Sequence, residues 1–328
     1  MIRDVLIVGA GPSGLATAIA AKLAGLDYAM VEKGTLVNSI FNFPVHMVFF
    51  TTPELLEIGK LPLVSPFEKP TRLEALRYYR RVVDTYDLSI AFDETVTAVE
   101  RDADGTFTVV TNAPRGLTRV RQARAVVMAI GYYERPNMLG VPGEDLPHVS
   151  HYYSDAHPYY RKRVVIVGGK NSAAEAALEL YRAGSHPTIV HRQATLGDSI
   201  KYWVRPDIEN RIKEGSVGAR FESRVVEITP TTVRIEGADG RAEDLPADAV
   251  FLLTGYLPDV DLMRRAGVTC DDTTLAPAIN PETFETNVPN LFIVGGAMAG
   301  RATGTIFIEN GRFHGEKAIA ALAARLRD

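Results

Sequence analysis

Cysteine is almost absent. Cys270 is the single one in 328 residues, so no internal disulfide and no Cys-x-x-Cys pair can form. That usage fits a reducing compartment, and a cytoplasmic location is expected. Long apolar runs are missing too. The apolar N-terminus is broken by Asp4, Pro12 and glycines, unlike a signal peptide, and no run approaches the roughly 20 residues of a membrane span. Charge of one sign is not in excess: the net charge is −4, which gives no reason to expect nucleic acid or an anionic membrane as partner. His148, His151 and His157 share one stretch, but no acid or cysteine cluster accompanies them and their spacing matches no familiar ligand set. No metal is expected. What remains is ordinary for a globular protein, with 46% hydrophobic and 23% charged residues, and the length suggests about two domains, each with its own core.

The most informative stretch runs from Val5 to Lys33. Val5 to Val8 form a short apolar run, as in a buried parallel strand. Gly9, Gly11 and Gly14 follow as G-x-G-x-x-G, with Pro12 and Ser13 between them. In that pattern the first glycine permits a tight turn, the second lets the backbone approach a pyrophosphate, and the third lets the helix pack closely on the sheet. The helix N-terminus adds free N–H groups and the positive end of a dipole. A second strand, Tyr28 to Val31, ends in Glu32, where an acid accepts hydrogen bonds from ribose hydroxyls.

The pattern restarts at Arg163. R-V-V-I-V-G-G-K-N-S-A-A-E-A-A-L-E-L is again strand, turn and small-residue helix, and P-T-I-V-H-R supplies the next strand. Gly168 matches the first glycine, Lys170 the second and Ala173 the third. Glu32 follows Gly14 by 18 positions, and His191 follows Ala173 by the same 18. An acid closes the first copy; His191 and Arg192 close the second. A cationic pair there suits a 2′-phosphate, because arginine forks onto phosphate oxygens. The reading is one site for FAD and one for NADPH, with Lys201 adding charge to the second.

Between these copies the chain carries an aromatic-rich loop after Glu32, in which Asn42 and His46 are candidate flavin contacts. An amphipathic helix is expected over 71–86, and a hairpin turns at Asp104-Gly105. A-V-V-M-A-I-G-Y, at 125–132, is a buried strand echoed by A-V-F-L-L-T-G-Y at 249–256. The proline-rich segment from Arg135 to Arg163 reads as a connection between domains. After Gly255 the chain is expected to return to the first domain through N-L-F-I-V-G-G-A and a last helix.

Two dinucleotide folds, one inserted in the other, resemble the thioredoxin-reductase-like flavoproteins. The resemblance sharpens to the bacillithiol-disulfide reductase family through S-I-F-N-F-P-V-H-M, F-F-T-T-P-E-L-L-E-I-G, G-Y-Y-E-R-P-N-M-L-G-V-P-G-E-D-L-P-H-V-S-H-Y-Y, V-G-G-K-N-S-A-A-E-A-A-L-E-L and T-I-F-I-E-N-G-R-F-H-G. It implies an α/β fold with two Rossmann-like domains, the NADPH domain (134–255) inserted in the FAD domain (1–133 and 256–328). It also implies a homodimer and a reductase acting on a small-molecule disulfide or a small redox protein. Candidate FAD positions are Gly9, Gly11, Pro12, Ser13, Gly14, Glu32, Lys33, Asn42, His46, Val96, Ala129, Gly131, Gly295, Gly296, Thr305 and Ile306. Candidate NADPH positions are Gly168, Gly169, Lys170, Asn171, Ser172, Ala173, His191, Arg192, Lys201 and Gly255. Two departures stand out. The family commonly carries a cysteine where this chain has Ser13, the candidate catalytic position. The wider superfamily has an acid in its C-terminal flavin motif, where this chain has Gly295-Gly296.

Overall fold

The computed structural model describes residues 2–327. The chain divides into two compact units, one of Met1–Phe43, Met47–Arg135 and Tyr256–Asp328, the other of Pro44–His46 and Pro136–Gly255.

The sheet of the first unit is ordered Tyr28–Val31, Ile2–Val8, Leu117–Met128, Phe107–Ala113, Thr95–Arg101, and Leu291–Ile293 also pairs with Leu117–Met128. The long strand Leu117–Met128 does two jobs. Its first half closes an antiparallel meander with Phe107–Ala113, and its second half runs parallel to Ile2–Val8 and Leu291–Ile293. Val5 and Ile7 face one core, with Leu15, Ile19, Tyr79 and Val127; Leu6 and Val8 face another, with Phe107, Val126, Met128 and Met263. Both faces are covered over Val5–Val8, which is why that part of the strand is continuously apolar. The helix Arg72–Tyr86 begins at Thr71, whose hydroxyl accepts from the Glu74 N–H while the Glu74 carboxylate accepts from the Thr71 N–H, a reciprocal cap.

In the second unit five parallel strands are ordered Gly218–Arg220, His186–Val190, Arg163–Val167, Ala249–Leu252, Val149–Ser150. The helix Asn171–Arg182 packs its alanines on one face, and the three-stranded sheet Ser223–Ile228, Thr232–Gly237, Ala242–Pro246 covers the other. The segment that reads as a connection from sequence is structured inside this unit. Val149–Ser150 extends the sheet, and the buried Glu144 carboxylate accepts from the N–H groups of Leu139 and Gly140 at 2.7 and 2.6 Å, with His151 Nε2 at 3.4 Å. Its prolines shape turns within a packed unit.

Candidate functional site

The first cradle is built by the turn between Ile2–Val8 and the helix Pro12–Leu23. Gly9 has φ +104°, and a Cβ there would sit 2.5 Å from the Ala129 carbonyl oxygen. A Cβ on Gly14 would lie on the Gly9 carbonyl, far inside van der Waals contact, whereas one on Gly11 would meet nothing within 4 Å. Two glycines are therefore demanded by packing, and the third leaves open space at the helix N-terminus, where a pyrophosphate fits. Pro12 occupies the first helical turn, where its missing N–H costs nothing.

Glu32 is buried. Its carboxylate accepts from the Ala10 N–H at 2.7 Å and the Gly34 N–H at 2.9 Å, so it fixes the glycine turn while closing the strand. Lys33 pairs with Glu134, which also accepts from Asn38 Nδ2 at 2.9 Å. Burial pushes the Lys33 ammonium below its ordinary pKa, against the pull of Glu32 and Asp259. Sequence reasoning did not single out Glu134, which holds Lys33 and Asn38 beside the end of the strand Tyr28–Val31.

Leu291–Ile293, which pairs with Leu117–Met128 on the side away from Ile2–Val8, runs into Gly295 and Gly296. A Cβ on Gly295 would stand 2.5 Å from Ser13 Oγ, and one on Gly296 would stand 2.7 Å from the Tyr132 ring. The first cradle thus brings Ser13, Ala129, Gly295 and Gly296 together. Gly131 has open space around its Cβ position. Thr305 is exposed, and its carbonyl accepts from Asn310 Nδ2 at 2.9 Å; Ile306 lies near Gly311, 3.5 Å from where that glycine's Cβ would stand. Val96 sits in the meander and packs against the second core of this unit. Asn42 is exposed and donates to the Asn38 carbonyl. His46 is exposed and groups with the second unit through its neighbour Val45, whose N–H donates to the Ser154 carbonyl at 2.9 Å.

The second cradle repeats the turn. Gly168 has φ +152°, and its Cβ would lie 2.6 Å from the Leu253 carbonyl oxygen and 3.2 Å from the Ala173 methyl. Lys170, Ser172 and Arg192 are exposed around the start of the helix Asn171–Arg182 and the end of the strand His186–Val190. That is a cationic surface at a helix N-terminus, and a nucleotide phosphate fits it. The Gly255 carbonyl accepts from the Asn137 N–H at 2.9 Å.

Two expectations change here. The His191 ring lies directly over Gly169, where any Cβ would strike it. Burial, reinforced by Arg192, lowers the imidazole pKa, which works against a cationic pair, while Arg192 is exposed at this strand end. Lys201 is buried and its ammonium meets Glu175 at 2.7 Å, so it serves the packing of its own loop rather than an open phosphate site. Asn171 clamps that loop, accepting from the Lys201 N–H at 2.7 Å and donating to the Ser199 carbonyl at 2.8 Å.

The family profile described as pyridine nucleotide-disulphide oxidoreductase matches residues 6–295. The chain belongs to this family. It is 41% identical over 326 residues to a bacilliredoxin reductase, Bdr, of Bacillus subtilis, covering 99% of each chain. The solved bacillithiol disulfide reductase Bdr of Bacillus cereus superposes with a TM-score of 0.97 at 40% identity, over 99% of this chain and all of that one (100%). Its counterpart from Staphylococcus aureus gives 0.93 at 39% identity, over 99% of both chains. These matches place the chain among the bacillithiol-disulfide-reductase-like members of the family, with a thioredoxin-reductase-like fold. It is an oxidoreductase, and the family's cofactors are FAD and NADPH. Among the described residues no helix is long and apolar enough to cross a membrane, and no group of three or more His, Cys, Asp and Glu side chains is placed to hold a metal ion.

Proposed function

We propose that the chain is an NADPH-dependent FAD flavoprotein reductase acting on a low-molecular-weight thiol disulfide of the bacillithiol-disulfide kind, as a homodimer in the cytoplasm. The observation that carries the reading is the pair of glycine cradles closed by opposite charge, Glu32 in one unit and Arg192 in the other, in a chain 41% identical to a bacilliredoxin reductase. FAD would be held by the open backbone at Gly11, by Glu32 and by the Gly295 turn. NADPH would be held by the Gly168–Lys170 turn, with Arg192 on the 2′-phosphate. When bound, the flavin supplies the acceptance of a hydride and its onward transfer as electrons. The net reaction takes one hydride from NADPH and one proton and converts one S–S bond into two thiols.

The chain's own residues bind and orient. Glu32 ties the turn to the strand end by two backbone N–H groups. Arg192 selects the phosphorylated nucleotide by a charge-assisted fork. Ser13 offers a hydroxyl where relatives carry a thiol, and a hydroxyl forms no mixed disulfide. Cys270 does not substitute, since it is buried and burial raises its thiol pKa. The disulfide is therefore reduced without a covalent enzyme intermediate.

That absence favours one rival, a ferredoxin- or flavodoxin-type NADP reductase, which needs no protein thiol. The test is anaerobic: the holoenzyme is bleached with NADPH, then mixed with bacillithiol disulfide, other thiol disulfides, flavodoxin, ferredoxin or oxygen. Fast recovery of the visible absorbance with bacillithiol disulfide is expected. Recovery with the small redox proteins alone would overturn the disulfide assignment in favour of the rival.

A further inference from the structure

We propose that His314 is a positioning residue of the flavin site, its imidazole Nδ1 holding the Gly295 backbone in place against Ser13. The proposal rests on reading the first cradle as the FAD site.

Gly295 stands at the end of the strand Leu291–Ile293, where the superfamily resemblance leads one to expect a carboxylate and this chain has none. Its N–H donates to His314 Nδ1 at 3.2 Å. Acceptance requires a lone pair on Nδ1, so the imidazole is the neutral Nε2–H tautomer. The surroundings agree. His314 is 8% exposed, its ring stacks on Phe284 with centroids 4.3 Å apart and planes 25° from parallel, and Lys317 lies one turn along the same helix. Burial, then Lys317, push its pKa down to about 4.

What makes this contact more than packing is where Gly295 sits. Its Cα faces the Ser13 hydroxyl, and a Cβ on Gly311 would stand 3.2 Å from the same hydroxyl. The next residue after His314 is Gly315, whose missing Cβ accommodates the Thr17 backbone and hydroxyl. Thr17 Oγ1 in turn donates to the Ser13 carbonyl at 2.7 Å. The first helix, the Gly295 turn and the start of the last helix thus lock around Ser13, and His314 supplies the hydrogen-bond acceptor in that lock. In this chain a ring nitrogen from the following helix orders the C-terminal glycine turn.

The test compares wild type, His314→Asn and His314→Leu as purified holoenzymes. Asparagine places its Oδ1 near the position of Nδ1 and keeps an acceptor; leucine keeps apolar bulk and removes it. Release of FAD, followed by the rise in flavin fluorescence, is expected to be about tenfold faster in His314→Leu, the scale of a buried N–H left without an acceptor. His314→Asn should stay within about twofold of wild type, and the visible circular dichroism of the bound flavin should change in the leucine variant alone. Equal release from wild type and His314→Leu overturns the proposal while leaving the flavin reading intact; so does equal damage in both variants, which would assign the effect to ring stacking on Phe284. Wild-type protein that binds no FAD overturns both. Because the leucine variant could fail to fold, a measurement on the wild type stands beside it: nitrogen-15 chemical shifts of the histidines should show an unprotonated Nδ1 at His314, and a protonated Nδ1 refutes the assignment.

Discussion

Substituting Gly11 and Gly14 separately by alanine distinguishes a nucleotide cradle from a turn that merely contains glycine. Gly11 has φ −75° and ψ 177°, a backbone any residue adopts, and its Cβ would meet nothing within 4 Å. Gly11→Ala should therefore fold with a stability within about 0.5 kcal/mol of wild type, because the preference for glycine over alanine at a helix N-cap, roughly 0.5–1 kcal/mol, is offset by the roughly 0.4–1 kcal/mol gained when alanine restricts the unfolded chain. The new methyl would stand in the space a pyrophosphate needs. Losing two charge-assisted N–H contacts to phosphate, at roughly 1.5 kcal/mol or more each, weakens FAD binding by about 100-fold. Gly14→Ala has the reverse profile. Its methyl would fall on the Gly9 carbonyl oxygen, a backbone atom that cannot rotate away. Overpacking of that kind costs about 3 kcal/mol or more, a large share of the 5–15 kcal/mol that holds a typical domain together. Urea unfolding followed by far-ultraviolet circular dichroism reports stability, and flavin titration reports affinity. A Gly11→Ala variant that holds FAD as tightly as wild type refutes the cradle; a Gly14→Ala variant as stable as wild type refutes the packing argument.

Four further outcomes follow from the same geometry. Glu32→Gln leaves one of two buried N–H donors without an acceptor, about 1–3 kcal/mol; flavin release should shift to lower urea, while the single tryptophan, Trp203 in the second unit, serves as an internal reference, and an unshifted flavin transition would count against the role of Glu32. Arg192→Ala should raise KM for NADPH by about 10- to 100-fold while leaving NADH nearly unchanged; equal effects on both nucleotides remove the 2′-phosphate assignment. Ser13→Cys should raise turnover with bacillithiol disulfide, since glycines at 295 and 311 leave room for the larger sulfur, and steady-state kinetics without any increase would show that the thiol does not limit the reaction. Stability should also depend on pH through His314, whose folded pKa of about 4 lies below the ordinary 6.5. The unfolded chain binds the proton more readily, so the contribution is complete above pH 6.5 and is lost as pH falls toward 4, on the order of 3 kcal/mol in total. A His314→Asn variant with the same pH dependence of urea midpoint would contradict this.

The two cradles were legible in the sequence because everything that defines them is local. A strand, a glycine turn, a helix and a second strand follow within about thirty residues, and the glycines that packing demands meet backbone atoms, such as the Gly9 carbonyl above Gly14 or the Leu253 carbonyl above Gly168. The return of the chain to its first sheet was legible for a related reason: Leu291–Ile293 is too apolar to lie anywhere but beside another buried strand, and it pairs with Val126–Met128.

Charge was read less well, because a side chain's charge depends on what covers it. His191 and Lys201 are both cations by residue type. Yet the loop following His191 folds back on the glycine turn, with the Gly197 N–H donating to the Gly169 carbonyl at 2.7 Å; burial lowers the imidazole pKa, and the Lys201 ammonium meets Glu175. Nothing in the spacing of those residues announces that fold-back. His314 illustrates the converse. It stands 19 residues beyond Gly295, in a segment that looks like an ordinary helix start, and becomes a backbone anchor because Gly315 lets the last helix approach Thr17. Pattern reading therefore finds groups whose role is set by the turn they sit in. It passes over groups whose role is set by a distant segment closing over them, and in this chain those groups decide which charges remain available to a nucleotide.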